Sequence, residues 1–278
     1  MSTAHSDPRI QLACQTIGAV SVVADRTLPP HLLQLIDTRG NTYFAKQHRS
    51  QARYVQETHA YLRWRRHLRD HAPELVGRQD STHTLLLTAV PGRSGDALPP
   101  GSAEEERAHH HAGAALRTLH HATNRRSTED MGDELAGRLR SWVARADLAE
   151  LLSGSERHLL LQTADELAGT RMDSAICHLD YQPRNWRVGD GFWTFDFEHM
   201  RRDARLRDFA RLEFRHWQAA PQLREAFFTG YGSRPTDTEQ RLLERFGAIE
   251  AVTALVRGHE QDDVLLSAHG RTVLSQLS

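Results

Sequence analysis

At 278 residues the chain is long enough for two compact units and a sizeable buried interior. Its 35 Lys and Arg against 36 Asp and Glu leave a formal net charge of -1, which removes the electrostatic case for nucleic acid or an anionic membrane surface as a partner. Cys14 and Cys177 stand in no metal or redox spacing, no signal-like run opens the chain and no stretch approaches a membrane span, so a soluble protein of the reducing cytoplasm is expected.

Residues 9–90 carry mainly a strand pattern. Runs rich in Val, Leu and Ile over 19–24 and 32–36, a run over 42–46 after the turn signal Asp37-Thr38-Arg39-Gly40-Asn41, and an apolar run over 84–90 predict an antiparallel sheet. Between them, 50–68 reads as a helix with Tyr54, Glu57, Tyr61, Trp64 and Leu68 on one stripe, so Glu57 sits inside an apolar face. Lys46, at the end of a predicted strand, is the only lysine in the chain, every other residue of the Lys and Arg total being arginine. Retaining lysine at one position alone points to a need for a compact charge on a flexible stem, which a planar guanidinium does not provide.

The Pro and Gly clusters in Pro91-Gly92-Arg93-Ser94-Gly95-Asp96 and Pro99-Pro100-Gly101 set an expected boundary between a first lobe over 1–91 and a second over 92–278. Beyond it Ser102 and Glu105 form a capping-box start for a helix whose core face is Ala108, Ala112, Ala115, Leu116 and Leu119. Further helices are predicted over 134–152, 155–168, 208–217, 222–231, 238–256 and 263–277. The exception is a hairpin, 186–188 and 192–195 about Gly189-Asp190-Gly191. The histidines at 109–111 and 120–121 are expected on solvated faces, since adjacent side chains point in several directions around a helix, and Cys177 is expected to be packed.

The segment His178-Leu179-Asp180-Tyr181-Gln182-Pro183-Arg184-Asn185 precedes that hairpin and Phe195-Asp196-Phe197-Glu198 closes it. Asp180, Asn185 and Asp196 are therefore expected at one end of the ribbon. Magnesium takes one or two carboxylates together with phosphate oxygens and water. Phosphoryl transfer adds a carboxylate to receive a hydroxyl proton and a cation on the phosphates.

These residues resemble the aminoglycoside phosphotransferase and choline-kinase-like family of the protein-kinase-like fold, marked by a His-x-Asp-x-x-x-x-Asn loop followed by a strand ending in Asp. The resemblance implies a bilobal α+β fold: a small antiparallel-sheet N-terminal lobe with one helix, then a larger, mainly helical C-terminal lobe carrying the catalytic hairpin. It implies Asp180 as catalytic base, Asn185 and Asp196 as Mg2+ ligands, and His178 as the brace of the loop. It implies Lys46, paired with Glu57, on the phosphates of ATP or GTP, and Thr88, Ala89 and Val90 as the hinge that receives the nucleobase. Asp208 matches a downstream, structural Asp of the group. Two departures are visible: 15–21 holds only Gly18 in place of a glycine-rich phosphate cover, and Glu198 stands where protein kinases have glycine, which favours a small-molecule acceptor.

The function so implied is an ATP- or GTP-dependent phosphotransferase acting on a hydroxyl of a small molecule, an antibiotic or related natural product, with resistance as the outcome. The arginines at 184, 187, 201, 202, 205 and 207 would repel a polycation and point to a neutral or anionic acceptor. The alternatives are a metabolic kinase of the choline, methylthio-sugar or homoserine type, and a catalytically silent nucleotide-binding relative.

Overall fold

A computed structural model describes residues 7–128 and 130–277, and the chain divides into two compact units. The first runs to Pro99 and includes Pro183–Arg201; the second comprises Pro100–Gln182 and the chain from Arg202 onward.

The first unit opens with a helix that the strand pattern had not suggested, α1 (Pro8–Ile17). Its signals are an Asp7 N-cap accepting from the Arg9 amide at 2.9 Å and proline in the first turn. β1 (Val20–Val23), β2 (Leu32–Asp37) and β3 (Thr42–Gln47) follow, then α2 (Gln51–Arg63), β4 (Leu75–Gln79) and β5 (Thr84–Thr88). They form an antiparallel sheet ordered β1-β2-β3-β5-β4, with β3 at its centre pairing Lys46 with Leu32 on one side and Leu85 on the other. Because side chains alternate across a strand, Tyr43 and Ala45 join Leu12, Ala13, Leu35 and Leu86 in the core beneath α1, while Lys46 emerges on the opposite face.

Two residues of the expected linker form β6 (Arg93–Ser94), which joins a small sheet with β9 and β10 described below rather than remaining irregular. Gly92, at φ +96°, makes this possible: a Cβ there would meet the carbonyl of Val188 at 2.5 Å. The compact division thus falls at 99/100 rather than the expected 91/92, and the hairpin clusters with the first unit.

In the second unit α3 (Ala103–Thr123) begins at the expected Ser102 cap, whose hydroxyl accepts from the Glu105 amide at 3.2 Å. It leads through β7 (Arg125–Thr128) to α4 (Asp130–Leu148), α5 (Gly154–Leu167) and β8 (Met172–Cys177). The first-unit hairpin then supplies β9 (Trp186–Val188) and β10 (Phe192–Thr194). β11 (Arg201–Ala204) follows, then α6 (Arg207–Leu212), a wide π turn over Glu213–Trp217, α7 (Pro221–Tyr231), α8 (Asp237–Glu260) and α9 (Val264–Gln276). β11, β8 and β7 make a three-stranded sheet that the helical pattern concealed. α3 and α7 meet through glycine: a Cβ on Gly113 would strike the Phe227 carbonyl, and one on Gly230 the His110 carbonyl. Phe209, Trp217, Phe227, Phe228 and Tyr231 fill the adjoining core, ring against ring. Among the described residues no helix is long and apolar enough to cross a membrane.

Candidate functional site

Lys46 meets three carboxylates. Its Nζ lies 2.8 Å from Glu57, 2.5 Å from Asp196 and 3.6 Å from Glu198. Glu57 is 0 % exposed and would be costly as a lone charge; Lys46 on one side and His48, with Nε2 at 2.8 Å, on the other compensate it. Burial alone would raise the Glu57 pKa, yet the charges of Lys46 and His48 outweigh it and hold the carboxyl below its usual range. Burial likewise works against the Lys46 ammonium, but Glu57, Asp196 and Glu198 together keep its pKa above the ordinary lysine value. The single lysine is thus a permanent cation, aimed by a helix carboxylate and balanced by a loop.

That loop is tied to α2 at several points. Arg53 pairs with Glu198, Gln56 donates to the Met200 carbonyl at 3.4 Å, and Phe197 packs its ring 5.0 Å from that of Tyr61. A hydrogen bond from His199, opposed by burial and aided by Lys46 and Arg53, keeps the Glu198 carboxyl well below the carboxylate range. Asp196 itself sits at φ +68°, a sparsely populated conformation for a non-glycine residue. At the open end of the hairpin the Phe195 amide donates to the Asn185 carbonyl at 3.1 Å, so the backbone of Asn185 is paired with the residue just before Asp196. A carboxylate and an amide oxygen are ligand types that suit a hard cation such as Mg2+.

Two of the three expected hinge amides are engaged within the first unit. Thr88, the last residue of β5, donates to the Glu74 carbonyl at 3.0 Å, and Ala89 donates to the Thr42 carbonyl at 3.0 Å, because backbone pairing continues one residue beyond β5, within the run expected over 84–90. Val90 follows them as the residue before Pro91, a position that disfavours helical backbone.

Asp180 belongs to the second unit, 3 % exposed. Its loop is built on Asp208: one oxygen accepts the His178 amide at 2.9 Å, the other the Leu179 amide at 2.6 Å, and His120 Nε2 stands 3.0 Å away. His120 in turn meets the Tyr231 hydroxyl at 3.0 Å, and the Tyr181 hydroxyl donates to the Ala112 carbonyl at 2.8 Å. This clamp holds Leu179 at φ +63°. His120 and His109 are buried, correcting the expectation of solvated faces, whereas His110, His111 and His121 are exposed. Cys177 is fully buried, as expected.

Asp180 Oδ1 accepts from Gln182 Nε2 at 2.5 Å and is paired with Arg211 of α6. Arg211 had no sequence signal: the Asp208-Phe209-Ala210-Arg211 run looks like any helix start, and contact with Asp180 depends on where the clamp places the loop. Glu198 and His48 were also missed as partners, though Glu198 was legible as the departure after Asp196-Phe197. Several arginines noted for their charge are engaged elsewhere. Arg205 pairs with Glu239, Arg202 donates to the Thr123 carbonyl at 3.0 Å, and Arg187 and Arg207 lie over the rings of Phe195 and Phe246.

A family model described as "Phosphotransferase enzyme family" matches residues 33–244. No curated protein matches the chain by sequence. Among solved structures, a choline/ethanolamine kinase family protein from Mesorhizobium loti is 17 % identical with a TM-score of 0.67, covering 99 % of this chain and 94 % of its own. The macrolide 2'-phosphotransferase MphH from Brachybacterium faecium is 14 % identical with a TM-score of 0.64, covering 93 % and 92 %. The gentamicin complex of APH(2")-IIa is 13 % identical with a TM-score of 0.65, covering 95 % and 93 %. At such identities the likeness establishes the fold, that of the protein-kinase-like phosphotransferases.

Proposed function

That this chain belongs to the phosphotransferase enzyme family is the premise from which we propose that it moves the terminal phosphoryl group of ATP or GTP to a hydroxyl of a small molecule. The observation that carries the proposal is the setting of Lys46, its one lysine, between Glu57 of α2 and Asp196 of the loop after β10. Such a cation serves phosphate oxygens, and the first unit is proposed as the nucleotide-binding unit, with Val90 and its neighbours beside the base. Asp196 and Asn185 would hold Mg2+, which when bound offsets phosphate charge. Asp180, five residues before Asn185 along the chain, is proposed as the base that receives the acceptor's proton, oriented by Gln182 and by the Asp208 clamp on its loop.

The acceptor's hydroxyl could belong to an antibiotic, as for the macrolide and gentamicin relatives, or to a metabolic alcohol, as the choline/ethanolamine kinase relative suggests. Antibiotic modification with resistance is the reading put forward here. Its test has two arms. Asp180→Asn is expected to lower turnover at least about 100-fold while leaving nucleotide affinity within a few-fold, measured by steady-state kinetics and nucleotide titration. Expression in a drug-sensitive host should raise the inhibitory concentration of a hydroxylated antibiotic; unchanged sensitivity across aminoglycosides, macrolides and nucleoside antibiotics would direct the assignment to a metabolic alcohol. A wild-type protein that binds nucleotide but transfers phosphate to no acceptor would be a silent relative.

A further inference from the structure

Asp180 is not alone with its acceptor side. The oxygen that accepts from Gln182 also carries Arg211, whose side chain is 16 % exposed. Arg211 stands among other cations. Arg215, on the π turn, grips Glu250 of α8 through Nε at 2.6 Å and Nη2 at 2.5 Å, and His269 of α9 reaches the same carboxylate at 3.2 Å. Arg257 of α8, over the Trp142 ring at 5.7 Å, adds a third guanidinium whose charge acts on Arg211. Burial first, with Glu250 opposing and Arg215 and Arg257 reinforcing, brings the Arg211 pKa down to about 10. Arg211 is thus paired with Asp180, while the neighbouring carboxylate of Glu250 is held by Arg215 and His269.

A general base must turn a lone pair to the acceptor hydroxyl at about 2.6–3.2 Å, so Arg211 competes for the atom that has to react. Moving Arg211 off Asp180 with nothing in exchange would take a largely buried guanidinium from its paired carboxylate and leave it beside Arg215 and Arg257, with Glu250 already engaged by Arg215 and His269, which is strongly unfavourable. An anion brought by the acceptor removes that obstacle, because a guanidinium pairs with a carboxylate or phosphate through two parallel hydrogen bonds. A polycationic acceptor adds to the repulsion instead.

We propose that the acceptor alcohol bears an anionic group, a carboxylate or a phosphate ester, and that Arg211 receives this group as it leaves Asp180. The proposal rests on the phosphotransferase reading of Asp180 and adds to it the charge class of the substrate. It also separates this chain from polycation-modifying relatives on a residue rather than on net charge.

The test uses hydroxylated compounds matched in scaffold and differing only in charge, such as gluconate, gluconamide and glucamine, or glucuronate, glucuronamide and glucosamine. Each is assayed with ATP or GTP and Mg2+ against wild type, Arg211→Met and Arg211→Lys. In wild type the acids are expected to exceed their amides by about tenfold or more in kcat/KM, the equivalent of one charge-assisted contact. Arg211→Met should abolish that preference mainly through KM, and Arg211→Lys should restore part of it. Amides or amines used as well as the acids, no acid favoured over its amide, or an acid preference that survives in Arg211→Met would each overturn the inference. Thermal melts and nucleotide titrations of all three proteins separate the two levels. Failure of wild type to bind nucleotide sinks the phosphotransferase reading, whereas intact nucleotide binding without acid preference sinks this inference alone.

Discussion

Lys46 is held by charges on three sides, and the balance among them decides what a substitution does. Lys46→Met leaves Glu57 buried with only His48 beside it, and breaking a buried pair from one side costs about 3–5 kcal/mol. Lys46→Met should therefore lower the melting temperature as well as remove nucleotide-dependent activity, while Lys46→Met with Glu57→Gln recovers much of the stability and none of the activity. Lys46→Arg should not rescue, because the planar fork cannot reproduce a point charge shared between Glu57 and Asp196. The pH response follows from the same pair. The Glu57 pKa is depressed in the folded state, so its stabilisation is complete above the ordinary carboxylate value of about 4.3 and is lost as pH falls through the lower folded value. Urea midpoints should fall below about pH 4.5 in wild type and fall less steeply in Glu57→Gln. Both residues were legible in the sequence, Lys46 because no other lysine survives and Glu57 because a carboxylate interrupted an apolar stripe. Arg211 was not, since contact between Asp180 and α6 is a product of tertiary placement that no local spacing encodes.

At the level of elements, α3 carries two separate tests. His109 is buried, and burial lowers its pKa to about 4 although the Glu105 carbonyl at its Nδ1 opposes this. The unfolded chain therefore binds a proton on His109 from about pH 6.5 downward while the folded one does not, so stability should decline between pH 6.5 and 4, by up to about 3 kcal/mol. His109→Gln should flatten that segment of the pH–stability curve. One turn further on, Gly113→Ala sets a helix-propensity gain of about 1 kcal/mol against a backbone collision with the Phe227 carbonyl that α7 cannot relieve by a rotamer change. Net destabilisation of about 1–3 kcal/mol is expected in denaturant titration. The predicted helices were found with small shifts at their ends because caps and 3.6-residue periodicity extend over many positions. β7, β8 and β11 escaped because four to six residues, buried unevenly, leave too little period-2 pattern beside long helices. α1 escaped because its Asp-Pro start is a two-residue signal.

For the whole molecule, the division into two compact units means that each builds its own core, the first about α1 and the five-stranded sheet, the second about α3, α7 and α8. The strand-rich first half and helical remainder were visible in the pattern of residues, but the return of Pro183–Arg201 to the first unit was not, because it depends on the pairing of a two-residue strand, β6, with β9 beside Gly92. Nucleotide with Mg2+ should slow amide exchange in peptides from 42–47, 51–63 and 185–198; protection confined to other segments would contradict the proposed nucleotide unit. The lone lysine also gives the intact chain an unusual chemical property. Amine-directed acylating reagents find one ε-amine in the protein, and a Lys-specific protease has one place to cut, between Lys46 and Gln47. A mass shift at that position, or a clip yielding two fragments, therefore reports directly on whether the strand at the centre of the first sheet has opened.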